Sequence, residues 1–166
     1  MKILVVMRHA KSSWEDASLN DYERPLNKRG KLDAPRMGKL IYQQDLAPQL
    51  VISSSAKRAR KTAEAAAEYA RYDGEIIFTR DFYHADVERF IERLKDVSDD
   101  FSRVMIVGHN PGLEELIEEL TGRWERMPTA AVASIKLPID QWSELSENTV
   151  GKLINLWIPR EISHRD

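Results

Sequence analysis

Three short segments carry the side chains best able to do chemistry. Arg8 and His9 follow one apolar run, Arg58 stands in Ala56-Lys57-Arg58 after a second, and His109 lies in Gly108-His109-Asn110-Pro111-Gly112 after another. Two arginines and two histidines beside helix starts suit a dianionic phosphoryl group. Guanidinium forks match its oxygens, and helix ends offer N–H donors. Imidazole adds the reactive step, because a neutral ring nitrogen attacks phosphorus and holds the group transiently, splitting one transfer into two easier ones. His9 is the expected carrier. Neighbouring cations disfavour a further positive charge on its ring, which keeps it neutral and nucleophilic. Arg8, Arg58 and His109 are expected to stabilise charge on the transferred oxygens, the dominant contribution in phosphoryl transfer.

Each segment alone has an ordinary reading. A histidine at a strand end can be merely half-buried, Lys57, Arg58, Arg60 and Lys61 can be a solvated helix face, and the segment around His109 can be a helix cap. Their coincidence on one sheet edge favours a site. Metal catalysis is the competing chemistry, but His-x-x-x-His spacing is missing and crowded arginines repel a divalent cation, so no metal is expected. His84, in the turn Asp81-Phe82-Tyr83-His84, reads as a surface residue. His164, in the polar tail, reads as inert.

The elements that must position these residues follow from periodicity. Ile3-Leu4-Val5-Val6-Met7 is wholly apolar, as a strand covered on both faces requires. Further strands are expected at Leu50–Ser54, Glu75–Thr79, Val104–Val107, Val132–Leu137 and Lys152–Ile158. Helices are expected over Lys28–Gln44, with Leu32, Met37, Leu40 and Ile41 as its apolar face and Pro35 as a disturbance, and over Ala56–Tyr72 and Val87–Val97. Alanines 59, 63, 66, 67 and 70 share one face of the second helix. Asn110 reads as an N-cap with Pro111 in the first turn, and Gly122 stops the helix they open. The polar stretch from Lys11 to Asn27 is an aperiodic loop of functional length, with Trp14 as its expected anchor. The alternation is α/β, a mostly parallel central sheet flanked by helices in three layers. Without a clear helix between the last two strands, part of the sheet is free to run antiparallel. Ligands of such sheets gather at the carboxyl ends of the strands, so His9 and His109 share a crevice if strands one and four are neighbours.

The 166 residues suit a single domain, 1–166. Twenty-five Lys and Arg against 27 Asp and Glu give no global field for nucleic acid or an anionic membrane. No cysteine is present, which removes thiol catalysis, disulfides and cysteine-bound zinc and agrees with a reducing, cytoplasmic setting. No apolar run has membrane-spanning or signal-peptide length.

These same residues resemble the histidine phosphatase superfamily, the phosphoglycerate-mutase-like fold, and its small SixA-type phosphohistidine phosphatases. Met7-Arg8-His9-Ala10 is similar to the family's Arg-His-Gly signature, Ser53 to Glu64 to its second arginine motif, and Val107 to Gly112 to its second histidine motif. Arg24 to Gly30 resembles the segment opening the first helix. The resemblance implies His9 as the phosphorylated nucleophile, Arg8, Arg58 and His109 as the phosphate pocket, and no metal or organic cofactor. The compact length implies an open site and a protruding substrate, a phosphohistidine-bearing protein. The alternatives are a phosphomonoesterase for a small phosphorylated metabolite and a catalytically silent phosphoryl-binding module, although binding alone needs no nucleophile. Two departures stand out. Ala10 replaces the signature glycine, at a cost of about 1 kcal/mol if the backbone there needs positive φ. No obvious general acid follows the second arginine motif, which leaves Asp86 and the loop carboxylates Glu15, Asp16, Asp21 and Glu23 as candidates. The roles of Lys11, Ser12 and Trp14 toward the ligand stay open.

Overall fold

The computed structural model describes residues 1–162, so the expectation for His164 falls outside the described residues. Six strands form one mixed sheet in the order β3-β2-β4-β1-β5-β6. They are β1 (Lys2–Arg8), β2 (Leu50–Ser54), β3 (Ile76–Thr79), β4 (Arg103–Gly108), β5 (Val132–Leu137) and β6 (Lys152–Trp157). β1, β4, β2 and β3 are parallel, whereas β5 is antiparallel to β1 and β6 to β5. The antiparallel part expected of the sheet lies at one edge and is two strands wide, β5 and β6. The link between β5 and β6 holds only a 3₁₀ turn at Trp142–Glu144, and a link without a crossover helix returns antiparallel.

Period-two alternation sorts the strand side chains into two cores. Leu4 and Val6 of β1 pack with Ile52, Val104 and Ile106 under helices α3 (Val87–Lys95) and α4 (Gly112–Thr121). Val5 and Met7 turn to the other face, against α1 (Lys28–Gln43) and α2 (Lys57–Tyr69). Three layers result. The alanine face of α2 is buried as the sequence predicts, and it lets α1 approach closely. A Cβ at Gly38 of α1 would lie 2.3 Å from the Ala66 carbonyl oxygen. No helix among the described residues is long and apolar enough to cross a membrane.

Two local expectations fail for identifiable reasons. Leu32 is 56% exposed, because the buried face of α1 runs through Gly30, Asp33, Ala34, Met37, Gly38 and Ile41, and Leu32 lies off that stripe. Asn110 does not cap α4, which starts at Gly112. Its side-chain amide instead donates to the Met127 carbonyl at 2.8 Å. Gly122 does end α4, with φ 73°.

Candidate active site

Strand register sets the first contact. Arg8 pairs with Gly108 across β1 and β4, so the next residue of each strand, His9 and His109, leaves the sheet side by side, with ring centroids 5.0 Å apart. His9 is pinned by its backbone, its N–H to the Gly108 carbonyl and its carbonyl to the Ala130 N–H, both at 3.0 Å. The third segment is tied in by Thr62 of α2. Its hydroxyl accepts the Ala10 N–H at 2.9 Å and donates to the Arg58 carbonyl at 2.7 Å. Ala10 is buried without a positive φ, so the missing glycine brings no backbone strain.

Arg8, His9, Arg58 and His109 therefore line one cleft of about 330 Å³. The four expected residues converge. Lys11, Ser12 and Trp14, left open by the sequence, also line it, together with Arg24 and His84, which sequence reasoning did not place in the site. Arg24 is 7% exposed, its guanidinium carbon 3.3 Å from the centre of the Trp14 ring. Trp14 itself is 75% exposed. It is no buried anchor of the loop, and it covers Arg24 at the mouth of the cleft. His84 takes φ 57°, a left-handed backbone that costs a non-glycine residue about 1 kcal/mol, and its ring packs at a tilt against Tyr83 with centroids 4.0 Å apart.

Polar satisfaction marks the cleft sharply. Seven buried side-chain nitrogens and oxygens among the described residues have no hydrogen-bond partner, and five belong to cleft residues: Arg8 Nε, Arg24 Nη1, Arg58 Nε, His109 Nδ1 and Asn110 Oδ1. Buried donors are normally satisfied. Arginine nitrogens concentrated here form a donor set for a polyoxygen anion.

Electrostatics set the histidines neutral. Burial pushes the His9 ring down to about 3, helped by the charges of Arg58, Arg8 and Arg24. Burial also lowers His109, to about 2, with the neighbouring His9, Arg58 and His84 acting the same way. His9 Nδ1 lies 2.8 Å from the Ala10 carbonyl, an oxygen that only accepts. Nδ1 therefore carries the proton, and the lone pair is on Nε2. His109 Nε2 lies 2.8 Å from Ser54 Oγ, which also accepts the Ala56 N–H.

The carboxylates expected as proton sources are elsewhere. No Asp or Glu lines the cleft among the described residues. Asp86 is exposed and caps α3, accepting the Arg89 N–H at 2.9 Å. Glu15, Asp16 and Glu23 are exposed on the first loop. Asp21 lies behind the arginines. Its carbonyl accepts from Arg58 Nη1 at 2.6 Å, and its carboxylate accepts from Arg58 Nη2 at 3.0 Å, from Tyr83 Oη at 2.7 Å and from Arg24 Nε at 3.2 Å. Burial works to raise its carboxyl, but the Tyr83 hydrogen bond and the Arg58 and Arg24 charges outweigh it and hold Asp21 at about 2. An acid that weakly protonated is a positioning anion for Arg58 and Arg24.

Known proteins share this chain's sequence and fold. The model of the histidine phosphatase superfamily (branch 1) matches residues 4–82. An uncharacterised chloroplastic protein of Arabidopsis thaliana is 34% identical over 152 residues, covering 85% of this chain and 69% of the relative. The crystal structure assigned to phosphohistidine phosphatase SixA of Agrobacterium tumefaciens superposes with a TM-score of 0.81 at 25% identity, covering 95% of this chain and 98% of that one. A mycobacterial glucosyl-3-phosphoglycerate phosphatase shares the fold at a TM-score of 0.71 and 15% identity, over 93% and 98% of the two chains. With the family model, the 34% identical relative and the SixA superposition together, the chain belongs to the histidine phosphatase superfamily (branch 1), among its small SixA-type phosphatases.

Proposed function

We propose that this phosphatase takes its phosphoryl group onto His9 Nε2 from a phosphohistidine side chain of a protein. The observation that carries the reading is the donor set. Arg8, Arg24, Arg58 and His109 line one cleft and each carries a buried nitrogen without a hydrogen-bond partner, and the Ala10 carbonyl fixes the tautomer that leaves the His9 Nε2 lone pair available. In the first step Nε2 attacks phosphorus, the bond to the leaving nitrogen breaks, and that nitrogen takes a proton. The arginines hold the equatorial oxygens. The Ser54 hydroxyl, donating to His109 Nε2, places the ring proton on Nδ1 as a further donor. In the second step water attacks the phosphorus, the P–N bond to His9 breaks, and phosphate leaves.

His84 is the proton carrier in this reading. Its exposed imidazole lines the rim of the cleft, whereas the other cleft histidines are buried and held neutral. A phosphoramidate accepts a proton more readily than an alkoxide departs, so a donor of imidazole strength suffices for phosphohistidine where an ester needs a carboxylic acid. The exposed rim at Trp14 and His84 fits a side chain presented by a macromolecule. The shared fold of a glucosyl-3-phosphoglycerate phosphatase keeps a small phosphorylated metabolite as the second reading. The experiment is a substrate comparison between a phosphohistidine-bearing protein domain and a panel of small phosphomonoesters, with His9→Ala as the blank. Preference for the phosphohistidine domain by at least a hundredfold in kcat/KM is expected, and equal or better turnover of an ester overturns the protein substrate.

A further inference from the structure

A second concave surface adjoins the cleft, with a volume of about 180 Å³. Lys11, Arg29, Arg126 and Arg160 line it, drawn from the first loop, α1, the segment before β5 and the end of the chain's last described turn. Its one lining carboxylate, Asp33, is 4% exposed and already engaged, by Arg29 Nε at 3.2 Å and by Arg36 Nη1 at 3.2 Å. Lys11, Arg126 and Arg160 have no ion-pair partner among the described residues. Four cations around one hollow repel each other, in a chain whose net charge is −2. The hollow is continuous with the reaction cleft, because Lys11 and Thr129 line both. Arg126 is close enough to act electrostatically on Arg8.

We propose that this hollow is a second anion site, which binds a carboxylate or phosphate carried by the same substrate whose phosphoryl group enters the cleft. The inference rests on the phosphatase reading of that cleft. Arginine forks select planar or tetrahedral oxyanions over other groups, and the shared wall at Lys11 and Thr129 puts the two anions on one molecule. The second anion comes either from an acidic residue beside a phosphohistidine or from a second acidic group of a metabolite. The chemistry is the same in both.

The test uses two matched substrate pairs with the full-length protein. One pair is a phosphohistidine peptide with aspartates flanking the phosphorylated residue and its counterpart with asparagines. The other is a phosphorylated hydroxy acid and its carboxamide. The charged member of at least one pair is expected to be preferred about tenfold or more in kcat/KM at low salt, and the preference should shrink as ionic strength rises. In Arg126→Gln/Arg160→Gln, two exposed changes checked by an unaltered urea midpoint, that preference should fall severalfold toward one. Preference in the peptide pair assigns the anion to a protein substrate, and preference in the hydroxy acid pair assigns it to a metabolite. A wild-type preference of one in both pairs, or an unchanged preference in the double variant, overturns the second site. If His9→Ala turns over these substrates as fast as wild type, the reading of the cleft fails first and takes the second site with it.

Discussion

Acidification should destabilise the fold through its two cleft histidines, in a window set by their neutral burial. Burial holds His9 at about 3 and His109 at about 2 in the folded chain, whereas the unfolded chain titrates each near its ordinary value of about 6.5. Between those values the unfolded chain binds more protons, so stability rises with pH. It is fully present above about 6.5 and is lost as pH falls toward the folded values. At pH 5 the deficit is about 1.5 units, or about 2 kcal/mol per histidine at about 1.36 kcal/mol per unit, and about 4 kcal/mol for both. That is a large share of the roughly 5–15 kcal/mol of a typical domain. Asp21, held at about 2, contributes only below its ordinary value near 4, outside this window. Urea unfolding at pH 7.5, 6.0 and 5.0 in phosphate-free buffer measures the loss, and His9→Gln or His109→Gln should each remove about half of it. A wild-type chain whose stability is flat from pH 7.5 to 5.0, or whose slope is undiminished in both variants, refutes the reasoning.

Arg58→Gln removes a charged donor from the cleft and should lower kcat/KM by about 10²–10³, measured in steady state on the preferred substrate. His84→Gln keeps a polar side chain on the rim but cannot carry a proton, so kcat on a phosphohistidine substrate should fall and added imidazole should restore it, whereas a merely structural role would leave the variant unresponsive to imidazole. Gly38→Ala sets a methyl group 2.3 Å from the Ala66 carbonyl oxygen and should separate α1 from α2 at a cost of about 1–3 kcal/mol, read as a lower urea midpoint with unchanged slope.

Much of the fold is written in strand composition. Ile3 to Met7 is apolar at every position because alternate residues serve two different cores, and the alanine stripe of α2 announces a helix pressed closely against another. The convergence of His9 and His109 was legible for the same reason, since two apolar parallel strands end at the same level. Local signals misled where tertiary contacts outranked them. Leu32 looked like a core residue, but small residues and a paired Asp33 took the buried stripe of α1, and Asn110 gave up a helix cap for the Met127 carbonyl. Arg24, Asp21 and His84 could not be placed from sequence. They stand in segments without periodicity, and their roles depend on the first loop folding back over α2, where Asp21 meets Arg58 and Tyr83. The only available signal was a cluster of charged and aromatic residues in a loop too polar to be core. The second basic hollow was still less visible, since its four cations come from four separate stretches of the chain.

Trapping the covalent intermediate decides whether His9 carries the phosphoryl group. The protein is mixed for milliseconds with a labile phosphodonor, quenched in alkali, digested and read by mass spectrometry. Phosphate that is acid-labile and alkali-stable should sit on His9 Nε2, formed and discharged at rates no slower than turnover, and should vanish in His9→Ala together with activity. Phosphate on another residue, or full turnover by His9→Ala, contradicts the mechanism.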